Sequence, residues 1–268
     1  MKTLAPVVCL GMLLNGCGSA GSRLKMNNVM MEGGQWEYAV VPEDGAIPIF
    51  IEVNLPGPSV EVVATNAQFF QPSEDNVPVQ SGPIYCGDFS FNGNISGSTL
   101  SVKMNSGSPQ SNVAKFSGEL AANGQSLSKG TYSGDVCLQG SDLLHHVQGT
   151  VVGYTIPPVN GTFTGTLDSN LYGADVVTVS ITQNSDFSLN FAGTSIENGV
   201  TTALIASSNT QSSIVNGGTV YLSGSAKNVN GSEPFTIAAH LNPQATQLTI
   251  AFMNFGANEY VTGALTKQ

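Results

Sequence analysis

Charge is scarce in this 268-residue chain. Only 10% of residues are Asp, Glu, Lys or Arg, and Lys and Arg together number eight against 18 acids, a net charge of −10. Too little positive charge is available for a basic face, so a nucleic-acid partner is excluded as the main ligand. Long apolar runs are also missing. No stretch reaches the ~18 residues of a spanning helix. Tryptophan occurs once and cysteine four times. The chain nevertheless does not read as disordered, because 41% of it is apolar. What it has in excess is small and polar: Gly, Ser, Thr and Asn make up 104 residues. That is the composition of strands and tight turns, not of helices.

The N-terminus reads as an address. Lys2 is followed by the apolar stretch Leu4–Leu14, the length of a signal-peptide core and too short for a membrane span. It ends in Leu14-Asn15-Gly16-Cys17. This resembles the lipobox of bacterial lipoproteins, in which cleavage precedes the cysteine and lipid is attached to its thiol. The resemblance implies residues 1–16 as signal peptide and Cys17 as the lipidated anchor. Gly18 follows in place of the Asp that retains such proteins at the inner membrane, so the implied destination is the outer membrane of the cell envelope. Residues 17–34 are mostly small or polar and read as a tether of roughly 20–25 Å reach.

Of the four cysteines, Cys9 leaves with the signal and Cys17 carries lipid. Cys86 and Cys137 remain. An exported chain meets an oxidising compartment, where such a pair forms a disulfide. Closing a loop of this size would stabilise the fold by about 4 kcal/mol. Two buried free thiols are the competing reading. Neither cysteine has zinc-finger spacing to the adjacent His145 and His146, which on a strand would point to opposite faces, so no metal site is assigned.

After Gly34 apolar and polar residues alternate with period two. Val177, Val179 and Ile181 form one such set, Phe187, Leu189 and Phe191 a second, and Leu248, Ile250 and Phe252 a third. Turn formers punctuate them, among them Pro56-Gly57-Pro58, Asn92-Gly93 and Asn216-Gly217-Gly218. No capped 3.6-period segment is found, so an all-β, antiparallel fold is expected. A short motif recurs, an apolar residue followed by Ser or Thr and then Gly. It appears at Phe116-Ser117-Gly118, Tyr132-Ser133-Gly134 and Phe163-Thr164-Gly165. Glycine inside a strand serves a bulge, a bend or close packing. Its recurrence predicts strands curled into barrels or tightly curved sandwiches, with the choice left open. Pro157-Pro158 divides the body into modules over 35–157 and 158–268.

Three phrases resemble tandem-module lipoproteins of environmental bacteria such as acidobacteria. They are Gly161-Thr162-Phe163-Thr164-Gly165-Thr166-Leu167-Asp168-Ser169, the run Val177–Gln183 and the run Phe116–Gly124. In that family a Trp-bearing strand opens the first module, as Gln35-Trp36-Glu37-Tyr38 does here. The resemblance implies architecture and address; it brings no activity with it.

Motifs for chemistry are sparse. The sequence holds no nucleophile elbow, phosphate loop or EF-hand. Glu43-Asp44 and Glu74-Asp75 read as solvated turns, and His240 as a strand residue facing solvent. Trp36 and Tyr38, two apart on one strand, form either a ligand platform or the start of a core. The expected function is therefore a lipid-anchored envelope protein with a structural or interaction role, without catalysis or cofactor. Its partners are the membrane and an unidentified protein or glycan. A lipocalin-like or avidin-like ligand barrel is the alternative, and the two differ in whether the barrel interior is filled or hollow.

Overall fold

The computed structural model describes residues 28–46, 48–70, 89–106, 113–137, 144–171, 173–207, 213–254 and 259–268. Cys17 and Cys86, the expected anchor and one half of the expected disulfide, lie outside them, as does the side chain of Cys137.

Among the described residues every regular element is a strand. The first eight are β1 (Gly34–Pro42), β2 (Ile49–Leu55), β3 (Glu61–Phe70), β4 (Phe89–Ser96), β5 (Thr99–Ser106), β6 (Val113–Leu120), β7 (Ser126–Cys137) and β8 (Leu144–Ile156). Each pairs antiparallel with the next, and β8 returns to β1, so the sheet closes into a barrel. The next nine are β9 (Gly161–Ser169), β10 (Gly173–Gln183), β11 (Leu189–Glu197), β12 (Val200–Ala206), β13 (Ile214–Asn216), β14 (Thr219–Asn228), β15 (Gly231–Leu241), β16 (Gln247–Asn254) and β17 (Glu259–Lys267). Here β9 pairs with both β10 and β17, and β12 meets β14. That last pairing closes a second eight-stranded barrel, with short β13 added beside the start of β14. The choice between barrel and sandwich thus falls to two barrels in tandem.

Alternation sets what lies inside each wall. In β1, Trp36, Tyr38 and Val40 point inward, while Gln35, Glu37 and Ala39 point outward. Trp36 and Tyr38 are both 0% exposed. Their rings stack at 5.6 Å, and Tyr38 also meets Phe91 at 5.8 Å and Phe116 at 4.8 Å. Phe69 and Phe89 pack edge to face at 4.8 Å. These aromatics, with Met104, Leu100 and Ile51, fill the first barrel. Trp36 Nε1 donates to Glu32 O at 2.9 Å, which satisfies the one polar atom of the ring. Residues 28–33, placed in the tether by the sequence reading, run across one end of this barrel. Val29, Met31 and Glu32 donate backbone hydrogen bonds to Gly97, Ser59 and Gly124.

The recurrent glycine follows from close approach between neighbouring strands. At Gly134 a Cβ would stand 2.4 Å from Ala114 Cα, and at Gly224 2.2 Å from Ile205 O. Register shifts at Ser117/Glu119 and Leu127/Gly130 mark bulges on either side of β7, where the first barrel turns its corner.

The second core is built by Phe163, Leu167, Val177, Val179, Ile181, Phe191, Leu222, Leu248 and Ile250. Two expectations differ: Asn92-Gly93, read as a turn, lies within β4 paired with Lys103 and Val102, and one residue of the predicted alternation is not in a strand. Phe187 precedes β11 and sits in a turn with φ +67°. Asp186 Oδ1 accepts from the Ser188 N–H and hydroxyl, and Phe187 N donates to the backbone Asn184 O, so local turn bonds hold the chain out of the strand. The side chain of Phe252 lies outside the described residues.

Candidate functional site

The outward residues of β1 and β2 are not solvated. Gln35, Glu37, Glu52 and Asn54 are all buried, because the β13–β14 hairpin of the second barrel lies on them. The hairpin turns through Gly217-Gly218, with φ +52° at Gly217, a conformation open to glycine at no steric cost. A Cβ on Gly217 would meet Glu52 Cβ at 2.5 Å, and one on Gly218 would meet Glu37 Oε2 at 2.3 Å. The tip therefore packs only as glycine. Gln35 Nε2 donates to Gly217 O at 2.9 Å, Asn54 Nδ2 to Val215 O at 2.6 Å, and Gly217 N back to Asn54 Oδ1 at 3.1 Å.

At the centre of this joint His240, from β15, meets Glu37 and Glu52. Its Nε2 is 2.7 Å from Glu37 Oε2 and 3.5 Å from Glu52 Oε1. The His240 side chain is 24% exposed, those of Glu37 and Glu52 1% and 0%. This corrects the expectation of a solvent-facing histidine: the face is outward within its own barrel, but the first barrel covers it. The remaining carboxylate oxygens are also bonded. Tyr154 donates its hydroxyl to Glu37 Oε1, Thr219 its hydroxyl to Glu52 Oε1 at 2.9 Å, and Gln68 Nε2 to Glu52 Oε2 at 2.7 Å.

Burial by itself would lower the imidazole pKa. The hydrogen bonds and charges of Glu37 and Glu52 outweigh it and push His240 up to about 10. Burial raises Glu52 above the usual carboxylate value, with His240 and Thr219 opposing that rise. Burial and the bond to Glu37 raise the Tyr154 hydroxyl. His240 is thus a cation held between two glutamates, locking the barrels together. One imidazole and two carboxylates within 4.8 Å could also ligate a divalent ion. Every carboxylate oxygen already has a protein donor, so the network is complete with a proton in that place.

The sign of its pH dependence follows. His240 titrates near 6.5 when unfolded and near 10 when folded. Its contribution to stability is complete below about pH 6.5 and lost as pH rises through 10. Raised Glu52 acts in the same direction. Between those limits the unfolding constant should rise by up to about tenfold per pH unit from this one proton. Urea midpoints at pH 6, 8 and 9.5 test this against His240→Gln, which should flatten the slope. An unchanged slope in that variant would remove His240 as the source.

On the outer wall of the first barrel, Asp135, His146 and Ser133 form a second polar array. Asp135 Oδ1 lies 2.9 Å from His146 Nδ1, and Ser133 Oγ lies 3.4 Å from His146 Nε2. The order is that of an acid, base and nucleophile. The imidazole is 56% exposed, however, and β7 is hydrogen-bonded on both sides around Ser133, so its backbone N–H groups serve the sheet and not an oxyanion. The array orders a surface, and the strand N–H groups beside Ser133 are taken up by the sheet.

Ser133 borders a groove of about 810 Å³ on the wall formed by β4 to β8. Trp36 and Tyr38 are elsewhere, within the barrel, with no exposed face. Glu37 and Glu52 carry no site signal in the sequence and His240 reads there as solvent-facing, because outward-facing polar residues on a strand look the same whether water or another barrel covers them.

No protein-family profile matches the chain, and no curated protein matches it in sequence. Two crystal structures of the vaccine antigen Transferrin Binding Protein B from Haemophilus parasuis Hp5 are similar in part. A single-site variant is 10% identical with a TM-score of 0.24, and covers 89% of this chain and 75% of its own. A double-site variant is 12% identical with a TM-score of 0.24, and covers 90% and 76%. At this TM-score the likeness carries no argument about function.

Proposed function

We propose that this chain is a lipid-anchored, two-barrel protein of the cell envelope that presents its outer wall to a partner and performs no catalysis. The observation that carries this reading is the filled first barrel. Trp36, Tyr38, Phe91 and Phe116 occupy the volume in which a lipocalin-like or avidin-like protein would hold its ligand. A groove of about 810 Å³ on this barrel opens outward instead. Leu14-Asn15-Gly16-Cys17 supplies the anchor in this reading, and the joint at His240 makes the two barrels one body for display.

Trp36 is the only tryptophan in the chain and stands inside the barrel, so its fluorescence reports on that interior. Titration of the detergent-extracted protein with fatty acids and polyenes should leave the emission unchanged. A saturable shift would return the ligand-barrel reading. Separately, Cys17→Ala should abolish metabolic acyl labelling and release the protein from membranes; a labelled variant refutes the anchor.

A further inference from the structure

Two rungs of side chains cross the outer wall of the first barrel in register. One runs Asn92, Lys103, Lys115, Ser133 and Gln148, each facing the next across adjacent strands β4 to β8. The rung beside it carries Asn94, Ser101, Ser117 and Thr131. Together they line the groove of about 810 Å³ and extend about 19 Å from β4 to β8. Lys103 and Lys115 stand directly opposite one another, both exposed, with no acidic partner among the described residues. Like charges in that position destabilise a sheet. In a chain with eight basic residues against 18 acids, two of them face each other with no ion-pair partner among the described residues.

We propose that this groove binds an acidic polysaccharide. The carboxylates of the polymer lie between Lys103 and Lys115, and the Asn, Ser, Thr and Gln side chains of the two rungs bond to its hydroxyls. Glu43 closes one end of the groove and sets the acid groups away from itself, over the lysines. The net negative charge of the protein does not prevent this, since screening at physiological salt reaches about 8 Å and the lysines dominate locally. The exposed side chains of the two rungs are all polar, so the aromatic or apolar anchors of a protein interface are missing from them. The proposal rests on the outer wall being the working surface, and adds what that surface takes.

Polygalacturonate serves as the probe, titrated into the full chain in detergent micelles, with neutral dextran as the uncharged control. Saturable binding to polygalacturonate alone is expected. Lys103→Gln with Lys115→Gln should weaken it by about tenfold or more, and raised salt should weaken it too. Lys227→Gln, on the second barrel, should leave it unchanged. The two groove variants should unfold no earlier than wild type, because they relieve a like-charge pair. Equal binding of dextran, or binding indifferent to the groove lysines, overturns the proposal. So does lysine-dependent capture of inorganic phosphate or phosphatidylglycerol vesicles without polygalacturonate binding. If Trp36 emission stays silent while polygalacturonate fails to bind, only the ligand class falls. If Trp36 responds to an apolar ligand, the outer-wall reading itself falls.

Discussion

His240→Ala should destabilise the protein by about 3 kcal/mol and separate its unfolding into two steps. Removing one partner of a buried ion pair typically costs about 3–5 kcal/mol, because the other charge is left in a site that cannot solvate it. The lower end applies here, since the imidazole retains 24% of its exposure and water can partly replace it. The orphaned groups are Glu37 and Glu52, both within the joint between barrels. Each barrel has its own core, so weakening the joint uncouples two units that otherwise unfold together. Trp36 fluorescence follows the first barrel alone, while far-ultraviolet circular dichroism follows both. Divergence of the two curves in the variant, and their coincidence in wild type, is the expected signature. In a Glu37→Gln, Glu52→Gln background the same substitution should cost much less, giving a coupling energy by double-mutant cycle. Additive losses would mean that His240 acts through packing alone.

Trp36→Ala should cost about 3–5 kcal/mol, confined to the first barrel. The indole is 0% exposed and stacked on Tyr38, which in turn contacts Phe91 and Phe116. A barrel wall held by eight strands cannot collapse onto the space left, so the cavity term adds to the lost transfer energy. Made in the His240→Ala background, where the barrels unfold separately, the substitution should lower the first of two calorimetric transitions and leave that of the second barrel unmoved. A ligand platform would behave differently: truncation there would cost little stability and remove binding.

Much of the wall pattern could be read along the chain. Val177, Val179 and Ile181 alternate in sequence and are buried in fact. The Ser/Thr-Gly motif marks places where strands approach too closely for a side chain, as at Gly134 and Gly224. Phe187 misled because Asp186 and Asn184 offered local hydrogen bonds that outcompeted the ladder. The joint was hidden for a different reason. Glu52 sits between Ile51 and Val53 as any outward polar residue does. Its burial depends on Gly217-Gly218, more than 160 positions later, and its cation on His240, later still.

The sequence by itself determined the strand content, the alternation that divides inside from outside, and the residues too small to be anything but contact points. Those are local properties, since a period of two and the lack of a Cβ act within a few residues. Tertiary structure decided closure into barrels, the burial of Glu37 and Glu52, the charge on His240 and the pairing of Lys103 with Lys115. Each depends on register between strands or contact between barrels, and desolvation and Coulomb forces act through space, without regard to distance along the chain.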